Sequence, residues 1–561
     1  MQCALLTRAC EPCSSQLPRQ ALGRRSSILS LSRQGSWNTG RPTSVAHRQS
    51  AWRPLPAGGW FMRNRFACLL VLMLPALAVV HAGEKPGTSS VVLRNVTLID
   101  MTDERPKPNM TVVITGNRIA AIGTDSAIPP HAQDIDGSGK FLIPGLWDMH
   151  VHPLASSRWE WASRVQVANG ITGNRVPGTG RPLEDIVRLR KDVEEGRVLA
   201  PRFIANGPII DGPPANRKDR SFAGTPDEMR KEVGRLHAAG MDFIKVYTNV
   251  PRDAFFAAIE EAKRLGIPLD GHVPLTVTAA EASDAGMRSI EHAYRHRMSC
   301  ATAEAEILAL LIEQKKAQAA ENYRQSWERE DQAFRLGLES YSSGKCVELG
   351  RRFARNGTWF VPTLVEMQTR FRSEYPEDEA FKDLFKDERL RYLPAATVLQ
   401  WRDEMAWNMG FLVGRELQSG RNEEAVFRER EQEIANRLKM VFDLHRGGAN
   451  LLAGTDADAT FHFVFFGSSL HEELALFVKA GLTPMEALRT ATVNPARFLG
   501  AEDSLGTIEQ GKLADLVLLD ANPLDDISNT TRIRAVVVNG RYVDRAALDA
   551  LLKEAEKAAN P

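Results

Sequence analysis

The run Pro144-Gly145-Leu146-Trp147-Asp148-Met149-His150-Val151-His152 sets two imidazoles two residues apart. On a strand such residues face the same side, so His150 and His152 can share one divalent cation. Four more metal-competent side chains close later apolar runs. Lys245 lies in Phe243-Ile244-Lys245-Val246-Tyr247, His272 follows Asp270-Gly271, His292 follows Ser289-Ile290-Glu291, and Asp456 ends Leu451-Leu452-Ala453-Gly454-Thr455-Asp456. Each alone has a plain explanation: an edge-strand lysine, two hydrogen-bonded core histidines, a helix N-cap. Together they put six donors at the ends of five predicted strands, which chance explains poorly. Asp458 shares a strand face with Asp456, but Asp456 closes the Gly-Thr-Asp turn and is the better donor.

The elements that carry these residues alternate. Eight strands are predicted, at Gly145–His152, Ile171–Val176, Phe203–Ile210, Asp242–Thr248, Pro268–Val273, Ser289–Ala293, Thr358–Leu364 and Asn450–Asp456. Helical patterns such as Arg252–Leu265 and Thr278–Ala285 fall between them. Such alternation predicts an α/β fold, a (β/α)₈ TIM barrel over 144–500, whose functional residues sit at the C-terminal strand ends. Charged helical stretches near 297–350 and 365–445 read as insertions after the sixth and seventh strands. Thr483-Pro484-Met485-Glu486 is a capping box with proline at the first helical position. Short strands recur at both ends, over 83–143 and 501–561, among them Thr111–Ile114, Gly506–Ile508, Ala514–Leu519 and Ile533–Val538. They predict one composite β-sandwich domain built from both termini.

The 561 residues are 43% hydrophobic and 25% charged, an ordinary globular composition that excludes fibrous and largely disordered classes. Charge is uneven. Residues 1–61 hold eight Arg, no Lys and one acid, and lack any trustworthy periodicity. They read as a disordered or over-called extension, with translation starting at Met62. Residues 62–82 have the layout of a signal peptide: Met62-Arg63-Asn64-Arg65, an apolar run from Phe66 to Val80, and small residues before Gly83. The run is too short for a confident membrane span, so the expected location is periplasmic or secreted. Without 1–82 the net charge falls from +1 to −8, which gives nucleic acid no purchase. Two cysteines remain, Cys300 and Cys346, and an oxidising compartment would let them bridge.

The motif set resembles the metal-dependent amidohydrolase superfamily, in the branch with imidazolonepropionase-like and Xaa-Pro or Xaa-Arg dipeptidase-like members. The resemblance runs from Ser89 to Leu548 and includes Pro144–His152, the Lys245 run, Gly271-His272, Glu291-His292, Gly454-Thr455-Asp456, Asn494-Pro495-Ala496-Arg497 and Gly511–Val517. It implies two divalent ions, of which zinc suits the donors. His150, His152 and Asp456 would hold one and His272 and His292 the other, with a CO₂-carboxylated Lys245 bridging them. It further implies hydrolysis of a C–N bond in a small amide, such as a dipeptide or N-acyl amino acid, by a metal-bridging hydroxide, with Asp456 moving the proton. Tyr247, Arg295, His296 and His462 lie near these ligands in sequence and are candidates for touching substrate. Asn174-Arg175-Val176 departs from the Arg-Asp pair common in the branch. Alternatives are a mononuclear cyclic-amide or amidine hydrolase (a deaminase) and a non-catalytic binding protein on the same fold. A homo-oligomer is compatible with either.

Overall fold

The structure is a computed structural model that describes residues 90–124, 126–155, 159–213, 219–292, 296–373, 384–405, 423–458 and 462–560. The predicted extension and signal peptide lie outside them. No helix among the described residues is long and apolar enough to cross a membrane.

Strands from both chain ends pair in one sheet of eight. The seam is antiparallel, Leu516–Leu519 against Phe141–Pro144, with Val517 opposite Ile143. Alternation sorts the side chains. Leu516, Leu518, Ala535 and Val537 join Val112 and Ile114 in an inner cluster, whereas Val517, Leu519, Val536 and Val538 join the main core. Burial on both faces explains why Leu516–Leu519 reads as an unbroken apolar run. Asn539-Gly540 makes the hairpin turn, both residues in the left-handed region at φ 50° and 77°. The strand predicted over Gly506–Ile508 is a loop instead. Gly506 has φ 90°, which breaks extension, and the Ile508 amide bonds the carbonyl of Asp100 at 3.1 Å.

The middle of the chain forms parallel sheets of three and seven strands. The first holds Leu146–Asp148, Ile171–Val176 and Arg202–Ala205. The second includes Ile209–Asp211, Ile244–Val246, Leu269–Gly271, Ser289–Glu291, Trp359–Val361 and Asn450–Leu451. Backbone bonds link their edges: Asp242 N to Ala205 O at 3.0 Å, Met149 N to Ala453 O at 2.8 Å and His152 N to Ala457 O at 2.9 Å. Helix starts follow local sequence. Thr225, Thr278 and Thr483 each cap a helix with a reciprocal Glu three residues on, and Arg252–Leu265 is helical with Gly266 as its left-handed stop.

Several strands are shorter than predicted at their C-terminal ends. His292, Thr363 and Asp456 adopt φ 60°, 48° and 60°, and so leave the ladder. These are costly conformations for residues with a Cβ, held by the surrounding structure.

The stretch 297–350 contains the helices Glu304–Ala319, Tyr323–Glu339 and Ser343–Asn356. A Cys300–Cys346 disulfide joins its two feet, beside backbone bonds from Thr302 to Ser340 and from Ser342 to Cys300. The stretch 365–445 includes Leu364–Ser373, a short 3₁₀ turn at Glu388–Tyr392 and Glu423–Arg446. The disulfide closes a loop of 46 residues, so Cys300→Ser/Cys346→Ser should lower stability to unfolding by about 2–4 kcal/mol. Denaturant titration of the oxidised wild type against the double variant checks this.

Candidate metal centre

One cavity of about 610 Å³ is lined by His150, His152, Lys245, His272, His292 and Asp456. Residues from five strands thus meet at one set of strand ends. The His152 and His150 Nε2 atoms lie 3.1 and 3.3 Å from Asp456 Oδ1. The His150 ring is 4.6 Å from that of His292, which is 4.7 Å from that of His272. Two ligand-competent triads share His150: His150, His152 and Asp456, and His150, Glu291 and His292.

Neighbours orient each ring. Thr248 Oγ1 pairs with His272 Nδ1 at 2.8 Å, and Thr363 Oγ1 with His292 Nδ1 at 2.8 Å. Such contacts to the second ring nitrogen set which nitrogen is left for a cation. The Nδ1 of His150 is buried without a hydrogen-bond partner, 3.5 Å from Glu291 Oε2. A cation-shaped donor set with one orphaned buried nitrogen fits a divalent ion. Gly271, at φ 126°, admits His272 because a Cβ there would meet the Val246 carbonyl oxygen at 2.3 Å.

Burial dominates the electrostatics. It drives His150, His272 and Lys245 well below their ordinary values, towards the neutral forms that bind metal or react with CO₂. For His152 burial acts the same way, but the hydrogen bond and charge of Asp456 outweigh it and raise the ring. Asp456 is desolvated too, yet the neighbouring histidines hold it well below the carboxylate range. Asp148 is pushed up to about 7 by burial, and it accepts from the Thr455 hydroxyl at 2.7 Å and amide at 3.1 Å. That contact ties the first strand to the turn carrying Asp456.

Beneath the donors lies a buried ion network. Arg175 donates from Nε to the Met149 carbonyl at 2.7 Å and pairs through its two other nitrogens with Asp270 and Glu291, both at 2.8 Å. Glu291 also pairs with the Lys245 ammonium. The missing acid of the second strand therefore has substitutes: Asn174 turns away to exchange hydrogen bonds with Gln166, and the carboxylates come from the fifth and sixth strands. Sequence reasoning named Glu291, Asp270 and Asp148 only as neighbours of the candidate ligands and gave them no role. Their signal was present, as acids one or two residues before predicted ligands in apolar runs.

Of the candidate substrate contacts, Tyr247 lines the cavity, its ring centroid 4.0 Å from that of His272. His462 is not among the cavity-lining residues; it bonds Glu404 at 3.0 Å and its ring lies 5.8 Å from that of Trp401. Arg295 lies outside the described residues, and for His296 only the backbone is described, at the start of the helix His296–Ser299.

Helix Leu364–Ser373 begins just after Thr363, and its first amides donate to buried Glu473 at 3.0 and 2.7 Å. Burial pushes Glu473 from 4.5 up to about 8. A carboxyl raised in the fold stabilises fully below its unfolded value and loses that contribution as pH climbs to the folded value. Stability should thus fall between about pH 4.5 and 8, by up to roughly 1.4 kcal/mol per pH unit. In Glu473→Gln that part of the slope should vanish in denaturant titrations across the range. Separately, Arg175→Leu leaves buried Asp270 without its cation and Glu291 with Lys245 alone, and should cost about 3–5 kcal/mol in the same assay.

Parallel strands with imidazole, lysine and carboxylate donors at one end define an α/β protein built around a metal-competent centre. Residues 428–543, which include Asp456, match the model of the amidohydrolase family. Solved structures share the fold. A bottromycin amidohydrolase aligns with a TM-score of 0.63 at 24% identity, over 84% of this chain and 91% of that one. A Xaa-Pro dipeptidase crystallised with methionine in its active site aligns at 0.54 and 20%, over 81% and 100%. Curated relatives match over shorter stretches. An adenine deaminase of Rubrobacter xylanophilus is 35% identical over 82 residues, 14% of this chain and 13% of its own. An imidazolonepropionase of Klebsiella pneumoniae is 28% identical over 117 residues, 20% of this chain and 28% of its own. The chain thus spans less than a third of either curated relative.

Proposed function

We propose that the protein is an exported metal-dependent hydrolase of a C–N bond in a small amide, such as a dipeptide or N-acyl amino acid. One observation carries the reading: four imidazoles, a lysine and a carboxylate from five strands line one cavity. The fold we assign is a (β/α)₈ barrel over 144–500 with a β-sandwich composed of 83–143 and 501–561. The backbone bonds joining the two parallel sheets support closure, and those from the Ile119 amide to Lys512 and the Gly511 amide to Ile119 support the wrapped β-domain.

His150, His152 and Asp456 would hold one ion and His272 and His292 a second, with Lys245 as carbamate between them. Zinc suits these donors. Two bound cations would supply an acidified water and polarise the scissile carbonyl. Asp456, ionised and beside two imidazoles, accepts the proton of the attacking water and returns it to the leaving nitrogen. Lys245 is desolvated and so supplies the neutral amine that carbamate formation requires. Glu291 competes with that modification, since it pairs with the unmodified ammonium. Export is supported by the layout of residues 62–82 and by the disulfide.

A mononuclear deaminase or cyclic-amide hydrolase is the second reading. It is favoured by the Lys245–Glu291 pair and by a triad, His150, His152 and Asp456, complete without the lysine.

The zinc-loaded protein should hydrolyse members of a dipeptide and N-acyl amino acid library and contain two ions per chain by elemental analysis. Asp456→Asn should lower kcat by about 10²–10⁴. A single ion, with activity retained in Lys245→Ala, would select the mononuclear reading. Inertness of the metal-loaded protein across amides, lactones and esters would leave only a binding protein.

A further inference from the structure

The cavity has a second wall that the donors do not build. Helix Glu304–Ala319 lines it with Ile307, Leu311 and Lys315, four residues apart and hence on one face; helix Tyr323–Glu339 adds Ala333 and Phe334. The lining is graded. Apolar side chains cluster near the disulfide-joined feet, and the polar ones, Lys315 among them, lie further along the first helix.

This hairpin packs on itself. Met298, Ala301, Ile307 and Ala333 form a cluster of their own, apart from the main core. Several contacts set its position, among them Arg430 over the Phe334 ring at 5.2 Å. The Cys300–Cys346 bridge clamps the feet, and the Lys315 ammonium bonds the Asn249 side chain. Asn249 in turn donates its amide to buried Asp211 at 3.0 Å, in the loop that follows the Lys245 strand. The wall is thus held in register with the donors without belonging to their scaffold.

We propose that the stapled hairpin is the specificity wall of this enzyme, and that its foot receives a large apolar substituent of the substrate. This rests on the amide-hydrolase reading and deepens it. About 610 Å³ leaves room beyond the bare amide, and the partly buried Leu311 and Phe334 offer it aliphatic and aromatic surface over the packed Met298 and Ile307. The preferred class is a dipeptide with a branched aliphatic or aromatic residue, or an amino acid bearing a medium-length acyl chain.

The test measures kcat/KM of the zinc-loaded protein for dipeptides with Gly, Leu or Phe at each position, and for N-acetyl and N-octanoyl amino acids. The wild type should favour the large apolar member over its glycyl or acetyl counterpart by about 10–100-fold. Leu311→Ala and Phe334→Ala should each shrink that ratio by about tenfold. Leu311→Trp fills the same space without opening a hole, and should depress the large substrates relative to the small. Ratios unmoved in all three variants overturn the proposal, as does a wild type that favours the glycyl substrates. A wild type inert on the whole panel overturns the hydrolase reading itself, a result distinct from activity without preference.

Discussion

A guanidinium with no exposure to solvent organises this molecule. Arg175 reaches from the second parallel strand to the carbonyl of Met149 in the first, to Asp270 in the fifth and to Glu291 in the sixth. A buried cation of this kind is tolerable only when nearby carboxylates compensate its charge, and the pairs with Asp270 and Glu291 tie three strands into one register. Asp270 and Glu291 each immediately precede a short step to a donor, His272 or His292. Fixing the acids fixes the imidazoles.

Above that network the centre is poised by desolvation. Burial pushes His150, His272 and Lys245 towards their neutral forms, whereas Asp456 raises His152 and is itself held low by its histidine neighbours. The backbone contributes as well: His292 and Asp456 stand in left-handed conformations, which turn their side chains inward where a regular strand would have continued. The Thr455 contacts to Asp148 hold the second of these turns. The same region carries the family match and the last donor, which is why a short similar segment is informative about the class and says little about substrate.

Much of this was legible in the chain itself. The six side chains that line the cavity were recognisable because each interrupts an apolar run at a predicted strand end, and the helix start at Thr483 because a capping box is local. The composite sheet was legible from matching strand texture at both ends. The misses have a common character. Gly506–Ile508 looked extended because its residues suit a strand, but the glycine takes a conformation no spacing rule reports. His462 looked close because it is six residues from Asp456, yet its partners are Glu404 and the Trp401 ring.

What the amino-acid order determined by itself was therefore short-range: which residue types end each strand, where helices begin, which positions alternate in and out. Those properties depend on neighbours within a few residues. The pairing of Arg175 with Asp270 and Glu291 and the placing of the helical hairpin against the cavity were decided only by the tertiary structure, whereas the Cys300–Cys346 bridge was already readable as the remaining pair of cysteines. Each is a contact between segments far apart in the chain, whose partners are selected by burial and charge compensation once the strands have assembled.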